Sequence, residues 1–135
     1  MISPHPFRER RGITVIKTYG LTHIALAVRD PERSLRFYRD VFGVHEVFRD
    51  KSTIQVQTPG SRDVIAFDAA ASGAGEMRGV AHFGFRLTDP RDIEAAVEAV
   101  RQAGGKILER GEFVPGEPYV YVADPDGYTI EIWYE

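Results

Sequence analysis

Three side chains of types that bind divalent metals stand out in this sequence because each lies in an apolar, strand-like segment. His23 and His82 each lie three residues after a glycine, in the strand-like segments GLTHIALAV and GVAHFGFRL. Glu131 lies between two isoleucines in the closing segment TIEIW. An unpaired carboxylate is costly to bury and is usually paired or bound to a metal. Two imidazoles and a carboxylate on one surface would leave coordination positions open for a substrate.

An internal repeat places the two histidines at equivalent positions. Each copy has a strand-like segment and then Asp-Pro, where Asp can cap free N–H groups and Pro suits the first helical position. Each continues as an apolar helical stripe that ends at a glycine, then a strand and a hairpin. When the two hairpins are aligned with each other, Ala66 matches Glu131. The repeat predicts two βαβββ modules, and its matched pairs are Gly20 with Gly79, His23 with His82, Asp30 with Asp89, and Pro31 with Pro90.

The predicted domain organisation follows from the repeat. Residues 1–18 are expected to form an N-terminal arm, and residues 19–135 a single domain. Within it, module 1 covers about 19–70, a small-residue linker covers 71–79, and module 2 covers about 80–135.

Strand alternation divides the side chains between two faces. Ile24, Leu26 and Val28 share one face of the first strand, which should lie under the helices. The other face combines small residues with polar and aromatic ones, which favours a concave surface that fits a ligand. Its candidate functional residues are His23, Gln55, Asp68, His82, Arg86, Tyr119, Tyr121, Glu131 and Trp133.

Three stretches resemble the vicinal oxygen chelate superfamily, over residues 19–135. They are LTHIALAVRDPERSLRFYRDVFG, GVAHFGFRL and YVADPDGYTIEIWYE. This superfamily includes glyoxalase I, extradiol dioxygenases, fosfomycin- and bleomycin-resistance proteins, and methylmalonyl-CoA epimerase. The resemblance implies an α+β fold in which the two modules form a cup-shaped, eight-stranded mixed sheet around one divalent metal. It places His23, His82 and Glu131 at the metal-ligand positions, and it implies a homodimer.

The sequence departs from the four-ligand members of this family. Glyoxalase I and the epimerase take a fourth ligand from the end of the first module, where the repeat places Ala66. Alanine cannot bind a metal, although Gln55 or Asp68 could substitute. Three ligands are therefore expected, which argues against a standard glyoxalase I or epimerase.

Three-ligand members also differ from this chain. The extradiol signature matches at Tyr121, Asp124, Pro125, Gly127 and Glu131, but its upstream acid–base histidine would fall at or beside Phe113. Fosfomycin-resistance enzymes carry a threonine where this chain has Ala25. Conventional catechol cleavage and fosfomycin resistance are both disfavoured.

Other residues on this face have a functional and a structural interpretation. Tyr121 is a candidate catalytic acid or substrate donor, or a packed aromatic residue. Arg86 could bind a substrate carboxylate, or form an ion pair with Asp68 or Glu131. Tyr119 and Trp133 could stack on an aromatic ligand, or simply close the cup. Asp126 is expected to serve its turn.

The first functional hypothesis is a metal-dependent enzyme with Fe(II) dioxygenase-type chemistry on a small oxygenated substrate. The first alternative is a glyoxalase-like lyase or isomerase that uses Zn(II), Mn(II), Ni(II) or Co(II). The second is a non-catalytic binding protein of the bleomycin-resistance kind. A net charge of -3 disfavours a nucleic-acid partner, and no apolar run is long enough to predict a membrane span. The absence of cysteine fits a cytoplasmic location.

Overall fold

The chain forms two βαβββ modules in the computed structural model, which describes residues 15–135. Module 1 contains β1 (His23–Val28), α1 (Pro31–Phe42), β2 (His45–Arg49), β3 (Thr53–Gln57) and β4 (Val64–Ala69). Module 2 contains β5 (Phe83–Arg86), α2 (Ile93–Gln102), β6 (Lys106–Glu112), β7 (Pro118–Ala123) and β8 (Thr129–Trp133). The predicted fold class is confirmed. Of the predicted N-terminal arm, residues 1–14 lie outside the described residues.

Each module folds its strands into one four-stranded mixed sheet. The strand orders are β1-β4-β3-β2 and β5-β8-β7-β6, so β1 and β5 are edge strands. β1 and β5 run parallel to their neighbours β4 and β8, and the other pairs are antiparallel. A cleft of about 180 Å³ lies between β1 and β5. His23 and Ile24 line one side of it, and Phe83, Gly84 and Phe85 line the other.

The two helices begin differently although both follow Asp-Pro. The Asp30 carboxylate accepts hydrogen bonds from the N–H groups of Glu32 and Arg33, and Gly43 ends α1 in the left-handed conformation. Asp89 instead caps a short 3-10 turn, Pro90–Asp92, which leads into α2. Among residues 15–135, no helix is long and apolar enough to cross a membrane.

One apolar core runs through both modules. The strand residues that alternate inward are buried beneath the two helices, as strand periodicity predicts. Phe42 of α1 stacks on Phe85 of β5, with ring centroids 3.8 Å apart. The strand members of this core with less than a tenth of their surface exposed are Leu26, Val28, Ile54, Val56, Ile65, Phe67, Val120, Val122, Ile130 and Ile132.

A turn just before β8 makes polar contacts across the module boundary. We call residues 124–128 the boundary turn. The Asp126 side chain is fully buried, and its carboxylate accepts hydrogen bonds from the N–H of Arg29 at 3.0 Å and the guanidinium of Arg33 at 2.9 Å. Asp126 therefore does more than serve its turn, because the start of α1 packs directly against it.

Asp124 joins the boundary turn to the core of module 1. Its carboxylate accepts hydrogen bonds from N–H groups within the turn and from the Tyr38 hydroxyl at 2.8 Å. Burial raises the pKa of Asp124 above its usual value. Burial and the neighbouring Asp124 carboxylate also raise the pKa of Tyr38 well above its usual value. The Tyr128 hydroxyl adds a hydrogen bond to the carbonyl of Ala27 at 2.7 Å.

The segment between the modules also packs against the boundary turn. A Cβ atom at Gly75 would lie 2.1 Å from the carbonyl oxygen of Asp126. Only glycine fits that approach, and its φ of 83° is one that glycine adopts without strain.

We predict that Tyr38→Phe will destabilise the protein by about 1–3 kcal/mol, because the buried Asp124 carboxylate loses a hydrogen-bond donor. Urea denaturation at neutral pH measures this loss. Tyr19→Phe is the matched control, since Tyr19 is 81% exposed and should show little change. An unchanged free energy of unfolding in Tyr38→Phe would contradict the prediction.

The same variant should show a specific pH dependence. The folded pKa of Tyr38 is raised, so its stabilising contribution is complete below the unfolded value of about 10. It is then lost as the pH rises from about 10 towards the folded pKa, because the unfolded state loses the proton first. The stability difference between the wild type and Tyr38→Phe should therefore shrink above about pH 10.

Candidate metal centre

His82 and Glu131 form a close pair on the open face of module 2. His82 immediately precedes β5, and Glu131 lies at the centre of the parallel neighbour β8, where it pairs with Gly84. His82 Nε2 lies 3.5 Å from Glu131 Oε1. The Glu131 side chain is 13% exposed and that of His82 is 36% exposed, so a ligand can reach both.

This separation fits two ligands of one cation. Imidazole nitrogen and carboxylate oxygen bind divalent metals at about 2.1 Å, and at bond angles of 90–109° the two atoms would lie roughly 3.0–3.4 Å apart. The observed distance is close to that range. The donor set of nitrogen and oxygen suits Fe(II), Mn(II), Zn(II), Co(II) or Ni(II).

The third predicted ligand, His23, lies on β1 in module 1. It is exposed and lines the cleft between β1 and β5, together with Gly84. In the described part of the chain, no three His, Asp or Glu side chains converge closely enough to hold a metal. Of the three predicted ligands, therefore, His82 and Glu131 are together, and His23 borders the adjacent cleft.

Tyr121 lies beside this pair. Strand register places it directly opposite Glu131 on β7, and its ring is 5.0 Å from the His82 ring. Burial and then the interaction with the Glu131 carboxylate raise the pKa of Tyr121 above its usual value. A phenol of raised pKa retains its proton at neutral pH, so it suits a hydrogen-bond or proton donor better than a base.

A second set of side chains lies on the same face of the sheet, two residues away from Glu131 and Tyr121 along their strands. Strand register pairs Arg86 with Trp133 and Trp133 with Tyr119, and we call these three residues the cation–aromatic row. The Arg86 guanidinium is 5.6 Å from the Trp133 ring centroid and donates to the main-chain oxygen of Glu135. The alternative ion pairs of Arg86 with Asp68 or Glu131 are not formed among residues 15–135.

The remaining candidates lie on module 1. Asp68 accepts a hydrogen bond from the Thr53 hydroxyl at 2.8 Å. Gln55 is half-buried and pairs in register with Ala66, which is itself only 4% exposed. Among the described residues, Asp68 does not join His82 and Glu131 in a group of three that could hold a metal.

Two residues beside the cation–aromatic row were not selected from the sequence. Phe113 stacks on Tyr119 with ring centroids 4.8 Å apart. Gly111 pairs in register with Tyr119, and a Cβ atom there would lie 2.8 Å from the Tyr119 hydroxyl oxygen. A glycine inside a strand often marks a close approach of this kind, so Gly111 was the sequence feature that indicated an aromatic side chain packed against the strand.

We predict that Gly84→Ala will displace the Trp133 indole. The added Cβ would lie 3.2 Å from Trp133 Nε1 and 3.0 Å from the carbonyl oxygen of Glu131. Trp133 is the only tryptophan in the chain, so its fluorescence should shift to longer wavelength as the indole becomes more exposed. Ala69→Ser, at an exposed position at the end of β4, is the control. An unchanged emission spectrum in Gly84→Ala would contradict the prediction.

One family model and several curated proteins match this chain. The family model described as Glyoxalase/Bleomycin resistance protein/Dioxygenase superfamily matches residues 20–132. A manganese-dependent 2,3-dihydroxybiphenyl 1,2-dioxygenase of Geobacillus genomosp. 3 is 30% identical over 84% of this chain and 36% of its own length. A lactoylglutathione lyase of Haemophilus influenzae is 30% identical over 82% of this chain and 89% of its own.

Solved structures show the same fold. The fosfomycin resistance protein FosX of Listeria monocytogenes superposes with a TM-score of 0.73 at 21% identity, over 88% of this chain and 95% of that one. This likeness concerns the fold alone. The chain spans about a third of the length of the dioxygenase but nearly all of the lyase. With a family match over most of its length, the chain belongs to the Glyoxalase/Bleomycin resistance protein/Dioxygenase superfamily.

Proposed function

We propose that this protein is a metal-dependent enzyme that acts on a small oxygenated organic substrate. The observation that carries the proposal is the 3.5 Å pair of His82 and Glu131, with Tyr121 beside it. Among the relatives, the Geobacillus protein is named as a manganese-dependent dioxygenase, which supports a divalent metal here.

His82 and Glu131 would supply two ligands, and His23 of the same chain would supply the third. The same-chain assignment is supported by the cleft that His23 shares with Gly84 of β5. A divalent ion bound there would supply Lewis-acid polarisation of two neighbouring substrate oxygens. Fe(II) is favoured because two histidines and one carboxylate form the facial ligand set of non-haem iron oxygenases.

The residues around this centre have separate roles in the proposal. Glu131 and the two histidines serve as ligands. Tyr121 holds its proton at the hydroxyl and donates it, or a hydrogen bond, to a substrate oxygen. On module 1, Ala25 is small and exposed, and it leaves room for the substrate. No side chain is assigned as the base in this proposal.

A lyase of the glyoxalase kind is the second candidate. It is favoured by the Haemophilus lactoylglutathione lyase, which the chain matches over 89% of that protein's length. This candidate would use Zn(II), Ni(II), Co(II) or Mn(II). A binding protein of the bleomycin-resistance kind remains the third candidate, and it would bind its ligand without metal.

We predict that the metal-free protein will bind Fe(II), Mn(II) or Zn(II), and that His82→Ala or Glu131→Ala will weaken binding by more than the roughly 10–100-fold that loss of an outer-shell partner costs. Anaerobic calorimetry measures the affinities. His45→Ala and Glu98→Ala are matched controls at exposed positions outside the site. Equal affinity in the wild type and in His82→Ala would remove this site from consideration.

Mixing variants tests whether one chain supplies all three ligands. We expect His23→Ala and Glu131→Ala each to lose tight metal binding, and a co-refolded mixture of the two to remain deficient. If a second copy supplied His23, mixed dimers would contain one intact site and binding would return. Recovery in the mixture would therefore overturn the same-chain assignment without overturning the metal site.

Oxygen consumption separates the two enzymatic candidates. The Fe(II)-loaded protein should consume dioxygen with at least one member of a panel of catechols. The Tyr121→Phe variant should consume dioxygen more slowly. Formation of lactoylglutathione from methylglyoxal and glutathione by the Zn(II)- or Ni(II)-loaded protein, without oxygen uptake, would favour the lyase instead.

We also propose a homodimer. Tyr19 and Leu21 are large apolar residues that are 81% and 97% exposed in the single chain. Burial of such residues against a second copy would remove apolar surface from water. Sedimentation equilibrium at micromolar concentration tests this, and a monomer would contradict it.

A further inference from the structure

We infer that the cation–aromatic row is a subsite for the planar, anionic part of the substrate, so that the substrate class is small aromatic carboxylates. The inference deepens the proposed function and rests on it for the position of the reacting oxygens. It names where the ring and the carboxylate lie, and it can be tested by binding alone.

The position of the row relative to the candidate metal ligands follows from strand register. Glu131 and Tyr121 are neighbours across β8 and β7, and Trp133 and Tyr119 are neighbours two residues further along. Residues two apart share a face of a sheet and lie about 7 Å apart. One substituted aromatic ring can therefore contact the row while its other end reaches Glu131.

Two glycines let the aromatic side chains lie close to the sheet. The Trp133 indole lies against Gly84, where a Cβ would come within 3.2 Å of its nitrogen. The Tyr119 hydroxyl end lies against Gly111, where a Cβ would come within 2.8 Å of the oxygen. Phe113 stacks on Tyr119 and, with 49% of its surface exposed, extends the aromatic surface outward. Such a surface favours stacking with a planar ligand.

Arg86 gives this surface its preference for an anion. The guanidinium lies over the Trp133 ring and is exposed, and among residues 15–135 it forms no ion pair with a side chain. One of its N–H groups donates to the main-chain oxygen of Glu135. A guanidinium has five N–H donors, so donors remain for a carboxylate. Arginine binds carboxylates with paired, charge-assisted hydrogen bonds.

The equivalent row of module 1 carries a carboxylate and no cation. Register aligns Ala27 of β1 with Asp68 of β4 and Asp68 with Thr53 of β3. By the internal repeat, Ala27 corresponds to Arg86 and Asp68 to Trp133. The Asp68 carboxylate, hydrogen-bonded to Thr53, would repel an anion. The two halves of the surface therefore orient an anionic ring, with its carboxylate at Arg86.

Binding to the metal-free protein tests the subsite separately from catalysis. Trp133 is the only tryptophan, so its fluorescence reports directly on occupancy. Because aromatic probes absorb ultraviolet light, calorimetry supplies the dissociation constants. Benzoate and 3,4-dihydroxybenzoate are the anionic probes, and benzamide and catechol are their neutral counterparts.

We expect the acids to bind at least about tenfold more tightly than their neutral counterparts, as one charge-assisted contact would give. Arg86→Met should abolish this preference, and Arg101→Met, at an exposed position in the last turn of α2, should retain it. Tyr119→Leu should weaken the binding of the acids and of the neutral probes by similar factors. Urea denaturation of each variant establishes that it is folded.

Two results would overturn the inference: equal affinity for the acids and the neutral probes, or an unchanged preference in folded Arg86→Met. Its failure is distinguishable from failure of the metal site. A protein that binds metal through His82 but does not prefer the acids retains the proposed function without the subsite. A protein that prefers the acids but binds no metal would retain the subsite and favour the binding-protein candidate.

Discussion

The buried carboxylates of the boundary turn hold the two modules in one arrangement. The Asp126 side chain is fully buried and accepts hydrogen bonds from the main chain and side chains at the start of α1, and Asp124 accepts one from the Tyr38 hydroxyl. Buried charges are tolerated only when they are paired and hydrogen-bonded, so these contacts admit few alternative placements of the turn. The same turn leads directly into β8, which carries Glu131. The interactions that join the modules therefore also fix the start of β8, the strand that carries the candidate metal ligand.

The modules share a topology but not a chemistry. On module 2 the open face carries His82, Glu131, Tyr121 and the cation–aromatic row. On module 1 the positions equivalent to Arg86 and Glu131 are Ala27 and Ala66, and the Asp68 carboxylate is already hydrogen-bonded. A repeat of the fold thus gives two sheets of the same topology, with the reactive groups concentrated on one of them. Such a division lets one substrate bind in a single orientation between two similar halves.

Much of this could be predicted from local sequence rules. Strand alternation placed Ile130 and Ile132 in the core and Glu131 on the open face, because period-two patterns depend only on neighbouring residues. Asp30 and Gly43 correctly marked the ends of the first helix for the same reason. The internal repeat, which compares distant segments directly, indicated His82 and the absence of a fourth ligand at Ala66.

Contacts between distant residues could not be predicted this way. Asp126 resembles an ordinary turn residue, and its partners Arg29 and Arg33 are almost a hundred positions earlier in the chain. The stacking of Phe113 on Tyr119 depends on a strand register that the sequence pattern leaves open. The separation of His23 from the His82–Glu131 pair depends on how two edge strands meet, which no local rule describes.

The burial of Ala66 has a consequence for any fourth ligand at the candidate metal site. With 4% of its surface exposed, the Ala66 side chain is shielded from water. A glutamate or glutamine at this position would bring a polar group into a buried place, where it costs free energy unless it is hydrogen-bonded or bound to a metal. A fourth ligand here would therefore depend on the metal for its own stability.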